Sequence, residues 1–336
     1  MASRWRKITG FTLLGFFVLL VIAMAATGFW RVFVGPQART VTNRTIESTP
    51  ARLERGKYLT ESVMGCFYCH SERDWQAAGA TVIEAKKGSG AMFSGGPGEI
   101  YAPNISPDKE TGIGNWSDDE LARAIREGVS RDGHALFPIM PYPNYRQLSD
   151  EDMTAIIAYL RSIPPVRNSL PKTKLIVPLK YLVNLMPQPV TAPVAAPDLS
   201  MPVARGTYLA TLSSCNDCHT PQHRGQPIPG LTLAGGFKLT EPSGEIISTN
   251  ITPDPSGISY YDEALFLEVM RTGQVKARKL NPTMPWSLYG KMSDEDLKAL
   301  FAYLRTVPSA SHRVDNTVPP TPCKLCKTSH GFGDRN

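Results

Sequence analysis

Runs of like charge are missing from this sequence. Its 336 residues include 36 basic and 30 acidic side chains, a formal charge of +6, and the basic ones are neither clustered nor interleaved with aromatic rings. That removes the electrostatic footprint single-stranded nucleic acid requires, and no nucleic-acid partner is expected. Alternation of apolar and polar residues is also scarce, so few strands are expected. No segment has the character of a signalling module, which leaves a sensor role unsupported.

A further absence concerns charge near the N-terminus. From Ile8 to Trp30, 23 positions carry no charged side chain, and a bilayer core takes about 20 helical residues. Arg4, Arg6 and Lys7 precede the stretch, so by the positive-inside rule the N-terminus stays cytoplasmic and everything beyond Arg31 is exported. Ala23-Met24-Ala25 offers a small-x-small cleavage site, but the apolar core from Phe11 to Ala26 is long for a signal peptide. The reading is a single-pass anchor in the inner membrane with the remainder in the periplasm.

What is present is a repeat. Arg55-Gly56-x-Tyr58-Leu59 returns as Arg205-Gly206-x-Tyr208-Leu209, and Gly95-Gly96 is matched to Gly235-Gly236. Asn104-Ile105-Ser106-Pro107-Asp108 returns as Asn250-Ile251-Thr252-Pro253-Asp254, Met140-Pro141-Tyr142 as Met284-Pro285-Trp286, and Ala158-Tyr159-Leu160-Arg161 as Ala302-Tyr303-Leu304-Arg305. Matches in one order at one offset indicate duplication. Ser149 with Asp152 starts a capping box before the stripe Met153, Ile156, Ile157 and Leu160. Ser293 with Asp296 does so before Leu297, Leu300, Phe301 and Leu304. Middle helices are expected from near Ser117 and near Tyr261. The fold class is mainly α, with a cytoplasmic stub and anchor over 1–32, domains over 45–166 and 202–310, a linker over 167–201 and a tail over 311–336. Nine prolines between Ile163 and Val203 make that linker extended.

Six cysteines form three Cys-x-x-Cys pairs. Cys66-Phe67-Tyr68-Cys69-His70 and Cys215-Asn216-Asp217-Cys218-His219 have the c-type haem attachment pattern. Two thiols one helical turn apart can add to the two vinyl groups on one haem edge, and the adjacent histidine is then directed at the iron. Disulfides or one four-cysteine zinc site would also fit Cys-x-x-Cys alone. The adjacent histidine in both copies, the export signal and a methionine late in each copy favour two covalently bound haem c groups. Met140 lies 70 residues beyond His70, and Met284 lies 65 beyond His219. Each sits in a proline loop rather than on a helix stripe, so His70 with Met140 and His219 with Met284 read as axial pairs. Met64, Met92, Met153 and Met292 read as packing residues. Two axial ligands leave no open position, which favours electron transfer over substrate chemistry.

These motifs, with Thr111-Gly112-Ile113-Gly114-Asn115-Trp116-Ser117, resemble the diheme and triheme cytochrome c proteins related to the cytochrome subunits of membrane-bound alcohol and gluconate dehydrogenases. The resemblance implies class I cytochrome c domains in tandem, with Gly56 and Gly206 letting each first helix cross closely against the helix bearing Tyr159 or Tyr303. It implies Cys66, Cys69, Cys215 and Cys218 as attachment residues and His70, Met140, His219 and Met284 as axial ligands. The second copy has Pro255-Ser256-Gly257-Ile258-Ser259-Tyr260 where the first has the Thr-Gly-Ile-Gly run.

The expected function is therefore a periplasmic electron shuttle from a dehydrogenase or quinol-oxidising complex to a terminal oxidase or soluble cytochrome. The alternative is a diheme enzyme, such as a peroxidase or thiosulfate-oxidising cytochrome. Cys323-Lys324-Leu325-Cys326 reads first as a disulfide, then as a metal clip with His330, and last as a third haem site. His134, His223 and His312 read as surface or hydrogen-bonded histidines, with His134, six residues before Met140, the one rival to it as a ligand at the first haem.

Overall fold

The computed structural model describes residues 2–77, 79–93, 97–241 and 244–336, with the side chains of 2–11, 20 and 241 outside that description. Each copy is built on two crossing helices. Pro50–Tyr58 packs on Asp150–Ser162, and Pro202–Leu212 packs on Asp294–Leu304. The crossing is close because both contact points are glycine. A Cβ at Gly56 would lie 2.0 Å from the Ala155 carbonyl oxygen, and one at Gly206 would lie 1.9 Å from that of Ala299. Tyr159 and Tyr303 flank these points, as the resemblance implied.

The apolar stripe of the first closing helix is fully internal, with Met153, Ile156, Ile157 and Leu160 all buried. In the second, Leu297, Leu300 and Leu304 are buried while Phe301 stacks at the margin on Phe266. Middle helices occupy Asp118–Glu127 and Glu263–Thr272, capped by Ser117 and Asp262. Ser117 and Glu120 close a reciprocal capping box. The boxes expected at Ser149 and Ser293 form only in half. Each serine side chain accepts from the backbone N–H three residues on, but Asp152 and Asp296 do not return the bond. Their carboxylates are claimed by arginines and tyrosines, and this exchange joins the copies.

Arg55 holds Asp152 with two bonds of 2.8 and 2.9 Å, and Arg205 binds Asp296 within the second copy. Tyr208 of the second copy donates to Asp152 at 2.8 Å and accepts the Ser149 N–H at 3.0 Å. Reciprocally, Tyr58 of the first copy donates to Asp296 and accepts the Ser293 N–H at 3.1 Å. Each repeat tyrosine thus caps the closing helix of the other repeat. Burial first, then the neighbouring carboxylate, push both phenols up to about 12.

Strands among the described residues are two to eight residues long and form small antiparallel ladders. The linker adds one of them. Lys174–Leu175 pairs with Gly98–Ala102, so part of the stretch read as extended linker belongs to the first copy's sheet. Before Pro50, Arg39 reaches back to Asp119 and Glu127 of the middle helix. The tail folds into a hairpin of Asp315–Pro322 against Ser329–Gly331. Met64, Met153 and Met292 are packing residues, but Met92 is 60% exposed because its strand lies at the surface.

The N-terminal helix runs from Ala2 to Thr27, ending three residues before Trp30. Among the described residues, no helix is long and apolar enough to cross a membrane. Part of the uncharged stretch, up to residue 11 and at residue 20, has side chains outside the description.

Candidate functional site

The two Cys-x-x-Cys-His motifs form matching short helices, Cys66–Cys69 and Cys215–His219. Each starts from a left-handed residue, Gly65 at φ 64° and Ser214 at φ 56°, which turns the chain sharply out of the preceding helix. All four sulfurs are free of one another. Burial pushes the Cys66 and Cys215 thiols up to about 12.

The histidines are oriented in the same way in both copies. His70 Nδ1 lies 2.7 Å from the Pro103 carbonyl oxygen, and His219 Nδ1 lies 2.8 Å from that of Thr249. A carbonyl can only accept, so Nδ1 carries the proton and Nε2 presents a lone pair, the arrangement a metal-binding imidazole needs. Burial depresses both histidines below their ordinary range, keeping them neutral. The segments supplying these carbonyls are the Asn-Ile-Ser/Thr-Pro-Asp loops. Asn104 and Asn250 pin each loop by bonding the backbone beyond the closing helix, at Val166 and Ala310.

Met140 and Met284, like Cys66 and Cys215, are partly buried and pack against the core. Immediately after each Met-Pro, a buried donor has no partner among the described residues, the Tyr142 hydroxyl in one copy and Trp286 Nε1 in the other. The same vacancy at equivalent positions calls for an acceptor that protein does not supply, and haem carboxylates are such acceptors. Paired thiols, a preset imidazole, a thioether-bearing loop and an orphaned donor together fit one haem c per copy.

Contacts between the sites were not legible in the sequence. Tyr68, inside the first motif, donates to the Pro282 carbonyl at 2.9 Å, two residues before Met284. Asn144, four residues after Met140, donates to Asp217 inside the second motif at 2.9 Å and to Ser214 at 3.1 Å. Each attachment motif therefore touches the methionine loop of the other copy. Cys69 is near enough that its charge would raise the Cys218 thiol further, after burial and Asp217. Tyr68 and Asn144 have no repeat counterpart of their own type, so self-comparison could not find them.

The other histidines divide. His134 is exposed beside Asp132, and His223 is exposed in a short ladder. Of the two readings of His312, surface or hydrogen-bonded, the second holds: it is fully buried and its Nδ1 donates to the Ala234 carbonyl at 2.8 Å. The pairing of Gly95-Gly96 with Gly235-Gly236 lies outside the described residues on its first side. Hydrogen bonding equates Gly235 with Gly90, because each donates its N–H to the carbonyl of the motif histidine, His219 or His70.

The cytochrome c family model matches residues 53–164 and 203–308. The fructose dehydrogenase cytochrome subunit of Gluconobacter japonicus is 31% identical over 283 residues, covering 78% of this chain and 55% of that protein. The gluconate 2-dehydrogenase cytochrome c subunit of Pantoea cypripedii is 30% identical, covering 78% and 60%. A diheme cytochrome c-type protein of Cereibacter sphaeroides is 29% identical, covering 73% of this chain and 82% of its own length. The chain spans little more than half the length of the dehydrogenase subunits it matches. With two matched regions that coincide with two complete attachment sites, the chain belongs to the cytochrome c family, as a tandem pair of such domains with two covalently attached haem c groups.

Proposed function

We propose that this protein is a membrane-anchored diheme electron carrier of the periplasm. It would take electrons from a dehydrogenase or quinol-oxidising complex and pass them to a terminal oxidase or soluble cytochrome. Haem c supplies a one-electron iron couple. Cys66 with Cys69, and Cys215 with Cys218, would tether the two groups. His70 and His219 would present Nε2 as one axial ligand, their tautomers fixed by Pro103 and Thr249. Met140 and Met284 would supply thioether sulfur as the second ligand to each iron, a ligand set suited to electron transfer.

The observation that carries the reading is the reciprocal contact of each attachment motif with the other copy's methionine loop. It holds the two sites against one interface, so an electron reaching one copy has a fixed short route to the other. Support for the anchor comes from the N-terminal helix, where Leu13, Phe16 and Leu19 are 65–70% exposed. An exposed apolar surface of that extent fits lipid. Dehydrogenase partnership is supported by the names of the dehydrogenase cytochrome subunits above.

The test is purification of the full-length chain in detergent from a host competent in haem attachment, with identification of co-purifying subunits. Two low-spin centres in both oxidation states, reduction by a co-purifying dehydrogenase and no peroxide or thiosulfate turnover are expected. A high-spin, ligand-accessible centre with peroxide turnover would overturn the carrier reading. Recovery of the chain in the soluble periplasmic fraction would overturn the anchor.

A further inference from the structure

Outside both haem sites, four buried side chains converge where the tail meets the second copy. His312, Cys323, Cys326 and His330 are each at most 5% exposed, and their ligand-type atoms all lie within 4.8 Å of one another. His312 Nε2 is 3.2 Å from His330 Nε2 and 3.5 Å from Cys323 Sγ. A tetrahedral zinc ion with bonds of about 2.05 Å to nitrogen and about 2.3 Å to sulfur requires edges of about 3.35 Å and about 3.55 Å. These two spacings come within about 0.2 Å of those edges.

Proton accounting leads to the same place. His312 Nδ1 lies 2.8 Å from the Ala234 carbonyl oxygen, and His330 Nδ1 lies 2.9 Å from that of Gly331. Both carbonyls accept, so both Nδ1 atoms carry hydrogen and both Nε2 atoms present lone pairs. Two lone pairs facing each other at 3.2 Å in a buried site repel unless a cation lies between them. A disulfide between Cys323 and Cys326 would leave that conflict standing. A third haem would lack its histidine, because Lys327 stands there and both sulfurs face imidazoles.

Comparison of the copies shows how the site arose on a shared scaffold. In the first copy, Asn168 follows the closing helix, donates its backbone N–H to the Thr111 hydroxyl oxygen at 3.0 Å, and donates Nδ2 to the Ser89 carbonyl at 3.0 Å. In the second copy, His312 donates its backbone N–H to the Ser256 hydroxyl oxygen at 2.9 Å and its Nδ1 to the Ala234 carbonyl. Ser89 and Ala234 each precede the glycine that bonds the motif histidine's carbonyl. An asparagine that only donates is thus matched by a histidine that donates at one nitrogen and offers a lone pair at the other. The hairpin then delivers Cys323, Cys326 and His330 to that lone pair. Gly236 admits the cluster, since a Cβ there would lie 2.7 Å from His312 Cε1 and 2.9 Å from Cys326 Cβ.

The geometry points to a structural two-cysteine, two-histidine zinc site that clamps the C-terminal hairpin onto the loop behind the second haem attachment motif. Binding forms two Zn–S and two Zn–N bonds and releases two thiol protons to solvent. The ion's two positive charges then balance two thiolates, so the buried site is neutral. Zinc has no redox chemistry of its own, and with all four positions filled by protein no place is left for a substrate. The donor set selects zinc over magnesium or calcium, which take oxygen ligands.

The experiment is elemental analysis and zinc-edge X-ray absorption on the detergent-solubilised holoprotein, purified without chelator, with haem iron as the internal standard. One zinc per two irons, with two sulfur and two nitrogen neighbours, is expected. His312→Asn copies the first domain's solution, so it should keep two haems per chain while losing the zinc. Cys326→Ser should lose it as well. Iron without stoichiometric zinc in the wild type would overturn the site. So would a C-terminal peptide carrying a Cys323–Cys326 disulfide, a haem mass on that peptide, or copper in place of zinc.

Discussion

Replacing each repeat tyrosine with phenylalanine measures how the two copies are locked, and the two replacements should differ. Tyr58→Phe removes one hydrogen bond to the Asp296 carboxylate, whose side chain is 3% exposed but keeps Arg205. A hydrogen bond to a charged group contributes about 2 kcal/mol. The Ser293 N–H released by this change lies at an exposed edge, where water replaces the phenol. Tyr208→Phe removes the matching bond to Asp152 and also strands the Ser149 N–H, which is buried. Leaving a buried donor unpaired adds about 2 kcal/mol, for about 4 kcal/mol in all. For a folding unit of this size, each kcal/mol lowers the Tm by about 2–4 °C. Tyr58→Phe should therefore cost about 4–8 °C and Tyr208→Phe about 8–16 °C. Circular dichroism melts and urea midpoints of the haem-loaded variants make the measurement. Equal losses, or losses near zero in both, would refute the claim that these phenols join the copies and that burial of the stranded N–H sets the difference.

The same phenols set an alkaline limit. Their pKa values are raised from 10 to about 12 in the folded protein, so their contribution is complete below pH 10 and is lost as pH rises toward 12; urea midpoints taken over that window should fall less steeply in the two phenylalanine variants. Gly56→Ala and Gly206→Ala should each cost about 3 kcal/mol or more, because the added methyl meets a backbone oxygen at 2.0 or 1.9 Å; wild-type thermal stability and haem content in either would contradict the close crossing. Met140→Ala and Met284→Ala should each remove about half of the sulfur-to-iron charge-transfer absorption and lower one of the two reduction potentials. An unchanged redox titration would remove that methionine from the ligand set. Asn144→Ala and Tyr68→Phe should slow electron exchange between the two centres while leaving two haems per chain, read by flash reduction of one centre; unchanged kinetics would separate the interface contacts from electron passage.

Much of the site is written locally along the chain. Attachment needs two thiols one turn apart and a histidine next to them, and the orientation of His70 and His219 follows from loops that repeat in register. The closing helices were readable because Ser149 and Ser293 precede stripes with helical period. Reading failed where one local pattern served a distant partner. Asp152 and Asp296 stand at capping-box positions, yet arginines and tyrosines from elsewhere hold their carboxylates. Met92 was assigned to packing by residue type, and its surface strand leaves it in solvent.

By itself the sequence determined the duplication, the two haem attachment sites and the helices that frame them, because covalent spacing and helical period act over a few residues. Only the tertiary structure decided which copy each tyrosine serves, that Tyr68 and Asn144 bring the two sites to one interface, and that His312 is buried among the tail cysteines. Those outcomes rest on groups 11 to 238 residues apart in the chain. Burial and hydrogen-bond satisfaction select such partners, and neither acts until the chain has folded.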